Sequence, residues 1–399
     1  MSFRLTNIHE YNRFVAIDLG SYRVRACIYE IQEWELILKW KSSVRQNRKN
    51  FLDGSITNLR GVAETIDRAI VQAATKLDTI PDDIILTFSP EFTLFDSLTT
   101  QYIRADRESI ITMQEIDTMI KKIEHESLDR AKEKSKKQYG VIHDDIRLVS
   151  STLTSIHIDG KLVTNPLGFS GSNIRIRVLN VFAPSSEFNI MRSILSSLGK
   201  RTISVVPTPL LFSKISEQSE YALEKNIYID LGFLHTTIVF ESRNEILSFE
   251  TFAFWVKNLL DILARVFWDK TYLEIENILW NENVKHDTTE LAAINEFFQY
   301  LTDVFLALLS REKGEMIVNN IFLSWGIFQS ERYRNLFFDT FHTSYKHDFR
   351  RLELSKIPDK KVDPDSIMCY ALAILAEELL VTKKDPLIRI LRYVLYNYE

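Results

Sequence analysis

The feature that most constrains this chain is a hairpin pattern that occurs twice. The first copy, FVAIDLGSYRVRACIY, covers residues 14–29, and the second, IYIDLGFLHTTIVF, covers residues 227–240. Each copy contains a β-rich run, the triplet Asp-Leu-Gly, a hydroxyl-bearing residue and a second β-rich run. Repetition of one such unit at a wide spacing predicts two related halves that face a common cleft.

The composition is typical of a globular protein with two or three domains. The 399 residues are 45% hydrophobic and 26% charged, and the net charge of −5 argues against a general nucleic-acid-binding protein. The cysteines, Cys27 and Cys369, lie in apolar runs, which indicates buried, reduced thiols in a cytosolic protein. We find neither a signal-peptide core nor an apolar run of about twenty residues, so we expect any membrane contact to be peripheral.

The segment between the hairpins predicts a small α+β insertion at 84–183. A capping box, Thr112 to Glu115, begins its long helix, and the turn Asp159-Gly160 separates two of its strands. A Pro/Gly-rich loop, NPLGFSG, follows at Asn165–Gly171. Outside the insertion, Asn58 predicts the N-terminus of a helix.

The first hairpin turn carries the groups that a phosphate site needs. Asp18 can hold a hydrated Mg²⁺, and Gly20 allows close approach to the backbone. Ser21 offers a hydroxyl, and Arg23 can reach a phosphate. A strand–Asp-x-Gly–strand hairpin is also common as a plain turn, so the local sequence leaves both interpretations open.

The order of the elements is more informative than either hairpin alone. A hairpin, the insertion, a second Asp-x-Gly hairpin and a buried strand ending near Gly326 follow one another. In this order, and in the segments Asp159-Gly160 and Asn165–Gly171, the chain resembles the actin-like ATPase superfamily and, within it, the bacterial cell-division family FtsA. The resemblance covers residues 12–399. Most of the 11 glycines fall at family positions: Gly20, Gly54, Gly160, Gly168, Gly171, Gly199, Gly232 and Gly326.

The resemblance implies an α/β fold with actin-like, ribonuclease H-like duplicated domains around a nucleotide cleft, and an α+β inserted domain. The first actin-like domain is expected at 12–83, 184–225 and 363–382, with the insertion at 84–183. The second is expected at 226–258 and 316–362, with a helical partner-binding subdomain at 259–315.

By the same resemblance, ATP and Mg²⁺ are the implied cofactors, and Asp18 and Asp230 are the expected metal-binding residues. His235 fits either a phosphate contact or an ordinary loop histidine. The expected nucleotide-binding residues are Asp18, Gly20, Ser21, Tyr22, Arg23, Asp230, Gly232, His235, Thr236, Glu274 and Gly326.

The second turn departs from the family pattern Asp-hydrophobic-Gly-Gly-Gly-Thr-Thr-Asp. Here it is DLGFLHTT, in which Phe233 and Leu234 replace two glycines. The family's adenosine loop, Leu-Thr-Gly-Gly, becomes LSWG at 323–326, and its ribose-facing Glu-x-x-Lys pattern keeps Glu274 but loses the lysine. Side chains at glycine positions fill space that a nucleotide needs. We therefore expect weakened, altered or lost nucleotide binding and at most weak ATPase activity.

The C-terminal sequence, KKDPLIRILRYVLYNYE, predicts an amphipathic helix over 386–399. Such a helix can lie in the lipid headgroup region or pack on the body of the protein, and the sequence fits both. The FtsA resemblance favours the membrane. The expected membrane-facing residues are Leu387, Ile388, Leu391, Val394 and Leu395.

The FtsA resemblance implies a scaffold at the division site. Such a protein binds the C-terminal peptide of FtsZ, tethers FtsZ filaments to the cytoplasmic face of the cell membrane and self-associates into filaments. An alternative is PilM, the actin-like scaffold of type IV pilus assembly, whose second loop is also poor in glycine. A sugar or acetate kinase would need a catalytic acid in the cleft and glycine-rich adenosine loops, and neither is evident in the sequence.

Overall fold

The computed structural model describes most of the chain. The described residues are 13–33, 35–52, 54–88, 93–139, 145–217, 219–243, 245–252, 254–281, 284–285, 287–311, 318–324, 330–345, 349–353 and 362–381.

Runs of strands are separated by helices along the described chain. The strands are β1 (Arg13–Leu19), β2 (Arg23–Gln32), β3 (Glu35–Arg45), β4 (Phe51–Leu52), β5 (Ser55–Ile56), β6 (Asp83–Phe88), β7 (Leu94–Ile103), β8 (Ile146–Ile158), β9 (Lys161–Val163), β10 (Asn173–Pro184), β11 (Arg201–Pro207), β12 (Lys225–Leu231), β13 (Thr236–Ser242), β14 (Glu245–Phe252), β15 (Asn320–Leu323) and β16 (Arg350–Glu353). The α-helices are α1 (Leu59–Ala73), α2 (Met113–Tyr139), α3 (Ser185–Leu198), α4 (Thr208–Ser216), α5 (Val256–Val266), α6 (Tyr272–Trp280), α7 (Thr288–Arg311), α8 (Glu331–Ser344) and α9 (Ile367–Val381). Short 3₁₀ turns lie at Arg48–Asn50 and Pro364–Ser366.

Two five-stranded sheets have the same topology. Their strand orders are β3-β2-β1-β6-β11 and β14-β13-β12-β15-β16. In each sheet the first three strands in this order form an antiparallel meander. The last two strands run parallel to the central strand, which is β1 in one sheet and β12 in the other. The repeated hairpin therefore forms the centre of each sheet, and the two related halves predicted from the sequence are present.

The two hairpin turns share one backbone geometry. The Gly20 amide donates to the Arg23 carbonyl at 3.1 Å, and the Gly232 amide donates to the His235 carbonyl at 3.0 Å. A Cβ atom added at either glycine would lie 2.7 Å from that same carbonyl oxygen. Glycine is thus required in both turns by the turn itself, whatever ligand the turn does or does not bind.

Helices α4 and α9 fill the space between the two sheets. Their side chains join a buried cluster that includes Phe14 and Tyr29 of the first sheet and Tyr228 and Phe322 of the second. The sequence of α9, IMCYALAILAEELLV, is apolar nearly all round, as expected for a helix that is covered on every side. Helices α1 and α3 cover the outer face of the first sheet, and α5 to α8 cover that of the second.

Helix α7 is the one described helix long and apolar enough to cross a membrane, by length and composition. The most apolar 18-residue window within Thr288–Ser310 has a mean hydropathy of 1.2, and 39% of that window is buried. Its apolar residues Ile294, Phe297, Leu301 and Phe305 recur at helical spacing and pack against the second sheet and its helices. This packing is that of a core helix with one polar face.

A third sheet, of order β7-β10-β8-β9, forms an α+β unit with α2 on one face. The predicted insertion begins at 84, but β6 pairs in parallel with both β1 and β11 and so belongs to the first sheet. The reason is that Ile84, Ile85 and Leu86 are completely buried between these neighbours. The strands of the inserted sheet begin at Leu94.

The predicted capping box of α2 forms only in part. The Glu115 amide donates to the Thr112 hydroxyl at 3.3 Å, as expected for a threonine N-cap. The Glu115 carboxylate, however, accepts from the Arg104 Nε at 2.7 Å. Arg104 also donates to the carbonyl of Gly171 at 3.0 Å, so it ties the start of α2 to the NPLGFSG loop.

The NPLGFSG loop is held against the Asp159-Gly160 turn. The Asp159 carboxylate accepts from the Asn173 amide at 2.8 Å and from the Ser172 hydroxyl at 3.0 Å. These hydrogen bonds lower the pKa of Asp159, and the one from the Asn173 amide has the largest effect. Gly171 packs so closely that an added Cβ would lie 2.8 Å from the Asp159 carboxylate. The two segments that carry the family resemblance therefore form one clamped unit.

The inserted sheet is braced on the second half. Arg177 of β10 forms an ion pair with Glu245 of β14 at 3.0 Å. The rings of Phe95 in β7 and Phe249 in β14 lie 4.5 Å apart between centroids. An ion pair and an aromatic contact thus set how the insertion sits against the second sheet.

We expect the substitution Gly232→Ala to lower the free energy of unfolding by about 1–3 kcal/mol, because its Cβ would collide with backbone rather than with a flexible side chain. Denaturant unfolding followed by circular dichroism measures this effect. Ser21→Ala in the other turn is the control and should change stability by less than about 0.5 kcal/mol. Equal effects of the two substitutions would contradict the requirement for glycine.

Candidate functional site

A cavity of about 120 Å³ lies between the two hairpin turns. Strands β1 and β12 end at its floor, and the start of α9 closes one side. Its lining includes most of the residues expected from the sequence: Asp18, Gly20, Ser21, Tyr22, Arg23, Asp230, Gly232 and His235. The folded chain therefore brings the two Asp-Leu-Gly turns together at one cleft.

Arg25 occupies the electrostatic centre of this cleft. Its Nη1 donates to the Asp18 carboxylate at 3.1 Å, and its Nε donates to the Asp365 carboxylate at 2.8 Å. Thr87 of β6 donates a further hydrogen bond to Asp18 at 3.3 Å. The expected metal ligand Asp18 is thus already paired with a cation that belongs to the chain.

Asp230 faces this group from the second half and accepts a hydrogen bond from the Ser324 hydroxyl. Burial raises the pKa of Asp230, and the Ser324 hydrogen bond and the Arg25 charge offset only part of this effect. Burial also raises the pKa of Asp18. The Arg25 charge lowers this pKa in part, and the negative charge of Asp230 raises it further. The positive charge of Arg25 therefore acts on two carboxyl groups, Asp18 and Asp230, both of which are removed from water.

Aromatic rings from both halves meet at the cleft. The Tyr22 ring lies 5.0 Å from the Phe233 ring and 6.3 Å from the Trp280 ring, between centroids. The guanidinium groups of Arg23 and Arg45 lie 5.4 Å and 5.3 Å from the Tyr22 ring centroid. Phe233 stands at a position where the family pattern has glycine, and its ring occupies part of the cleft.

His235, which fits either a phosphate contact or an ordinary loop histidine by sequence, is largely shielded from water in the structure. This side chain lines the cavity, but burial lowers its pKa to about 4. The imidazole is therefore neutral near pH 7 and does not supply a positive charge for a phosphate. In the other turn the matching position is Arg23, because β1 and β2 pair with the same offset from glycine as β12 and β13.

Two further expected residues lie away from the cavity. The Thr236 hydroxyl is buried and donates to the Phe254 carbonyl. Glu274 is exposed, and its carboxylate accepts from the Thr271 amide at 2.7 Å to cap α6. The buried carboxylate of α6 is Glu276, two residues later and on another side of the helix.

The remaining expected residues are outside the described part of the chain. They are Gly326 and the membrane-facing set Leu387, Ile388, Leu391, Val394 and Leu395.

Several cleft residues were not found from the sequence. Arg25 was detectable, because a hairpin with its turn at 20–23 pairs Asp18 directly with Arg25. Asp365 and Trp280 come from distant segments, and no local pattern marks them. Ser324 lies in the LSWG segment at 323–326, but its hydrogen bond to Asp230 was not predicted.

Within the described part of the chain, the space between the two turns is small for ATP with Mg²⁺. Ligand pockets usually have volumes of about 300–1,000 Å³, and this cavity has about 120 Å³. A metal ion at Asp18 would compete with the Arg25 guanidinium for the same carboxylate. Among the described residues, no group of three or more His, Cys, Asp and Glu side chains is arranged to hold a metal ion.

Comparison with known proteins gives matches of structure only. No family model and no curated protein sequence matches the chain. A structure of a PilM-PilN type IV pilus biogenesis complex matches with a TM-score of 0.67 at 13% identity, covering 91% of this chain and 98% of that chain. A diol dehydratase-reactivating factor in nucleotide-free form matches with a TM-score of 0.52 at 8% identity, covering 92% and 100%.

The ethanolamine utilization protein EutJ from Carboxydothermus hydrogenoformans matches with a TM-score of 0.50 at 8% identity, covering 91% of this chain and 89% of that chain. The chain has the actin-like ATPase fold. The fold class predicted from the sequence is thereby confirmed. At these identities the likeness shows the fold alone.

We expect Asp230→Asn to raise the free energy of unfolding near pH 7. The folded-state pKa of Asp230 is raised, so its charged form destabilises the protein at pH values above that pKa. The penalty disappears below the unfolded-state pKa of about 3.9, so the advantage of the variant should shrink as the pH falls toward about 4. Urea unfolding of the variant and the wild type near pH 7 and near pH 4 measures this difference in stability.

The control for this measurement is Asp129→Asn on the exposed face of α2. A variant Asp230→Asn that is less stable than the wild type near pH 7 would show that Arg25 needs the second negative charge.

Proposed function

We propose that this chain is a scaffold protein that uses the actin-like fold without depending on ATP turnover. The observation that carries the proposal is the filling of the cleft by the chain's own groups. Arg25 pairs with the carboxylate that would hold a metal ion, and the rings of Tyr22 and Phe233 meet where a nucleotide would pass between the turns. A catalytic cleft needs this space for substrate and cofactor.

Of the two scaffold roles considered, we propose the FtsA-like role in cell division. The chain would bind the C-terminal peptide of FtsZ through the helical region at 259–315, associate with further copies of itself and act at the cytoplasmic face of the membrane. The clamp of Asp159 on the NPLGFSG loop supports this role, because the two segments that carry the FtsA resemblance form one structural unit. The amphipathic sequence at 386–399 supplies the membrane contact.

A PilM-like role in type IV pilus assembly is the second candidate. It is favoured by the structural match to the PilM-PilN complex, with a TM-score of 0.67 over 98% of that chain. Both candidates are scaffolds, and they differ in the partner. The FtsA-like role requires FtsZ, and the PilM-like role requires a PilN-like protein.

The tethering role predicts that the full chain carries FtsZ filaments of the same organism to anionic vesicles in a flotation assay. Truncation before Pro386 should leave both proteins at the bottom of the gradient, because the apolar stripe is lost. In the full chain, Leu391→Glu should abolish flotation, whereas Tyr396→Glu, on the other side of the predicted helix, should retain most of it.

Two results would contradict this tether. Equal flotation of the full and truncated chains would exclude the C-terminal helix as the membrane anchor. If the chain floats but leaves FtsZ at the bottom of the gradient, and if it also binds a PilN-like protein, the PilM-like role is assigned.

The filled cleft predicts that a fluorescent ATP analogue with Mg²⁺ does not saturate the wild-type chain below millimolar concentrations. Phe233→Gly restores a glycine of the family pattern and removes a ring from the cavity, so affinity should rise at least about tenfold, which corresponds to about 1.4 kcal/mol. Trp268→Gly, which removes an exposed ring elsewhere, is the control. Micromolar binding by the wild type would refute the filled-cleft interpretation.

A further inference from the structure

A group of charged and aromatic side chains joins the two halves at the mouth of the cleft. Arg45 and Arg48 come from the end of β3 and the 3₁₀ turn after it, in the first half. Tyr272 and Glu276 come from α6, in the second half. We call these four residues, together with Tyr22, the clasp.

The ion pairs of the clasp converge on one buried carboxylate. Glu276 is 1% exposed, and its Oε2 forms an ion pair with Arg45 and lies 3.5 Å from the Nη2 of Arg48. The two guanidinium groups remain partly exposed, with 37% and 48% of their side-chain surface accessible. A buried carboxylate that is paired with two cations from the other half is stabilised only while both halves stay in place.

Aromatic contacts run beside the ion pairs. The Arg48 guanidinium lies 3.9 Å from the Tyr272 ring centroid. The Arg45 guanidinium lies over Tyr22, which in turn contacts Phe233 of the second turn. Burial, and then the negative charge of Glu276, raise the pKa of Tyr22. Tyr272 and Glu276 are four residues apart on α6 and therefore present one face to the first half.

The segment that carries the arginines is ordered by its own hydrogen bonds. The Gln46 amide donates to the Tyr22 carbonyl at 2.9 Å, and the buried Asn50 donates from Nδ2 to the Gln46 side chain at 2.8 Å. Asn47 accepts from the Lys49 amide at 3.0 Å. These bonds hold Arg45 and Arg48 in position before they meet Glu276, so little side-chain and loop ordering remains to oppose the contact.

We propose that the clasp holds the two halves of this protein in the closed arrangement with no ligand in the cleft. Arg45 and Arg48 reach across to Glu276 and Tyr272, and so connect the halves where a ligand bound between the turns would otherwise connect them. Loss of the Glu276 charge leaves two guanidinium groups next to each other and opens the cleft. The inference rests on contacts between the halves and not on the identity of the partner, so it can fail independently of the tethering role.

The test measures the distance between spin labels on the two halves of the full chain. Labels are placed by Arg60→Cys on α1, where the side chain is 89% exposed, and by Glu296→Cys on the exposed face of α7. The native thiols Cys27 and Cys369 are buried, and the unsubstituted chain serves as the labelling control. Double electron–electron resonance then gives the distance distribution.

The wild type should give one narrow distribution that millimolar Mg²⁺-ATP does not change. Glu276→Gln should give a longer and broader distribution, and Arg45→Gln with Arg48→Gln should do the same. Glu274→Gln is the matched control on the same helix, because glutamine at this position also completes a capping box. It should leave the distribution unchanged.

Two results would overturn the inference. One is a wild-type distribution that is broad and narrows only with Mg²⁺-ATP, and this result does not depend on any substitution in the clasp. The other is a folded Glu276→Gln chain, shown by circular dichroism, with the wild-type distribution. If Glu276→Gln does not fold, Arg48→Gln alone, at a half-exposed position, takes its place.

Discussion

The centre of this molecule depends on the ion pairs of Arg25, whose side chain is 17% exposed. Its guanidinium contacts Asp18 at the end of β1 and Asp365 in the turn before α9, and its charge also acts on Asp230 of the second half. Carboxylates removed from water are costly unless a cation or several donors compensate them. Because α9 fills the space between the two sheets, the ion pair that fixes the start of α9 also fixes the floor of the cleft.

The two halves keep one backbone design and have diverged in side-chain chemistry. Both turns close through the same amide-to-carbonyl hydrogen bond and need glycine for the same steric reason. At matching positions, however, the first hairpin has Arg23 and Arg25, and the second has His235 and Thr237. Only the first hairpin therefore has cationic side chains at these positions. Asp230 of the second hairpin accepts a hydrogen bond from the Ser324 hydroxyl and feels the Arg25 charge without a direct ion pair. A fold can persist in this way while the chemistry of its site changes.

The filled cleft, the clasp and the braced insertion have a common physical consequence. Each contains an ion pair inside the chain at a place where a moving contact would otherwise be possible. These ion pairs are Arg25 with Asp18, Glu276 with Arg45, and Arg177 with Glu245. A scaffold benefits from such an arrangement, because partners then meet surfaces whose relative positions do not depend on a ligand. An enzyme of this fold would need the opposite, namely a cleft that opens and refills.

Local patterns in the sequence determined much of the fold. The repeated Asp-Leu-Gly hairpin, the Asn58 and Thr112 caps and the glycines of the turns follow from hydrogen bonds and steric limits that act within a few residues. Only the tertiary structure decided that β6 belongs to the first sheet, that Glu276 rather than Glu274 faces the other half, and that Arg25 meets Asp365. These outcomes depend on which surfaces are buried together and on residues far apart in the chain, and no short-range pattern encodes either.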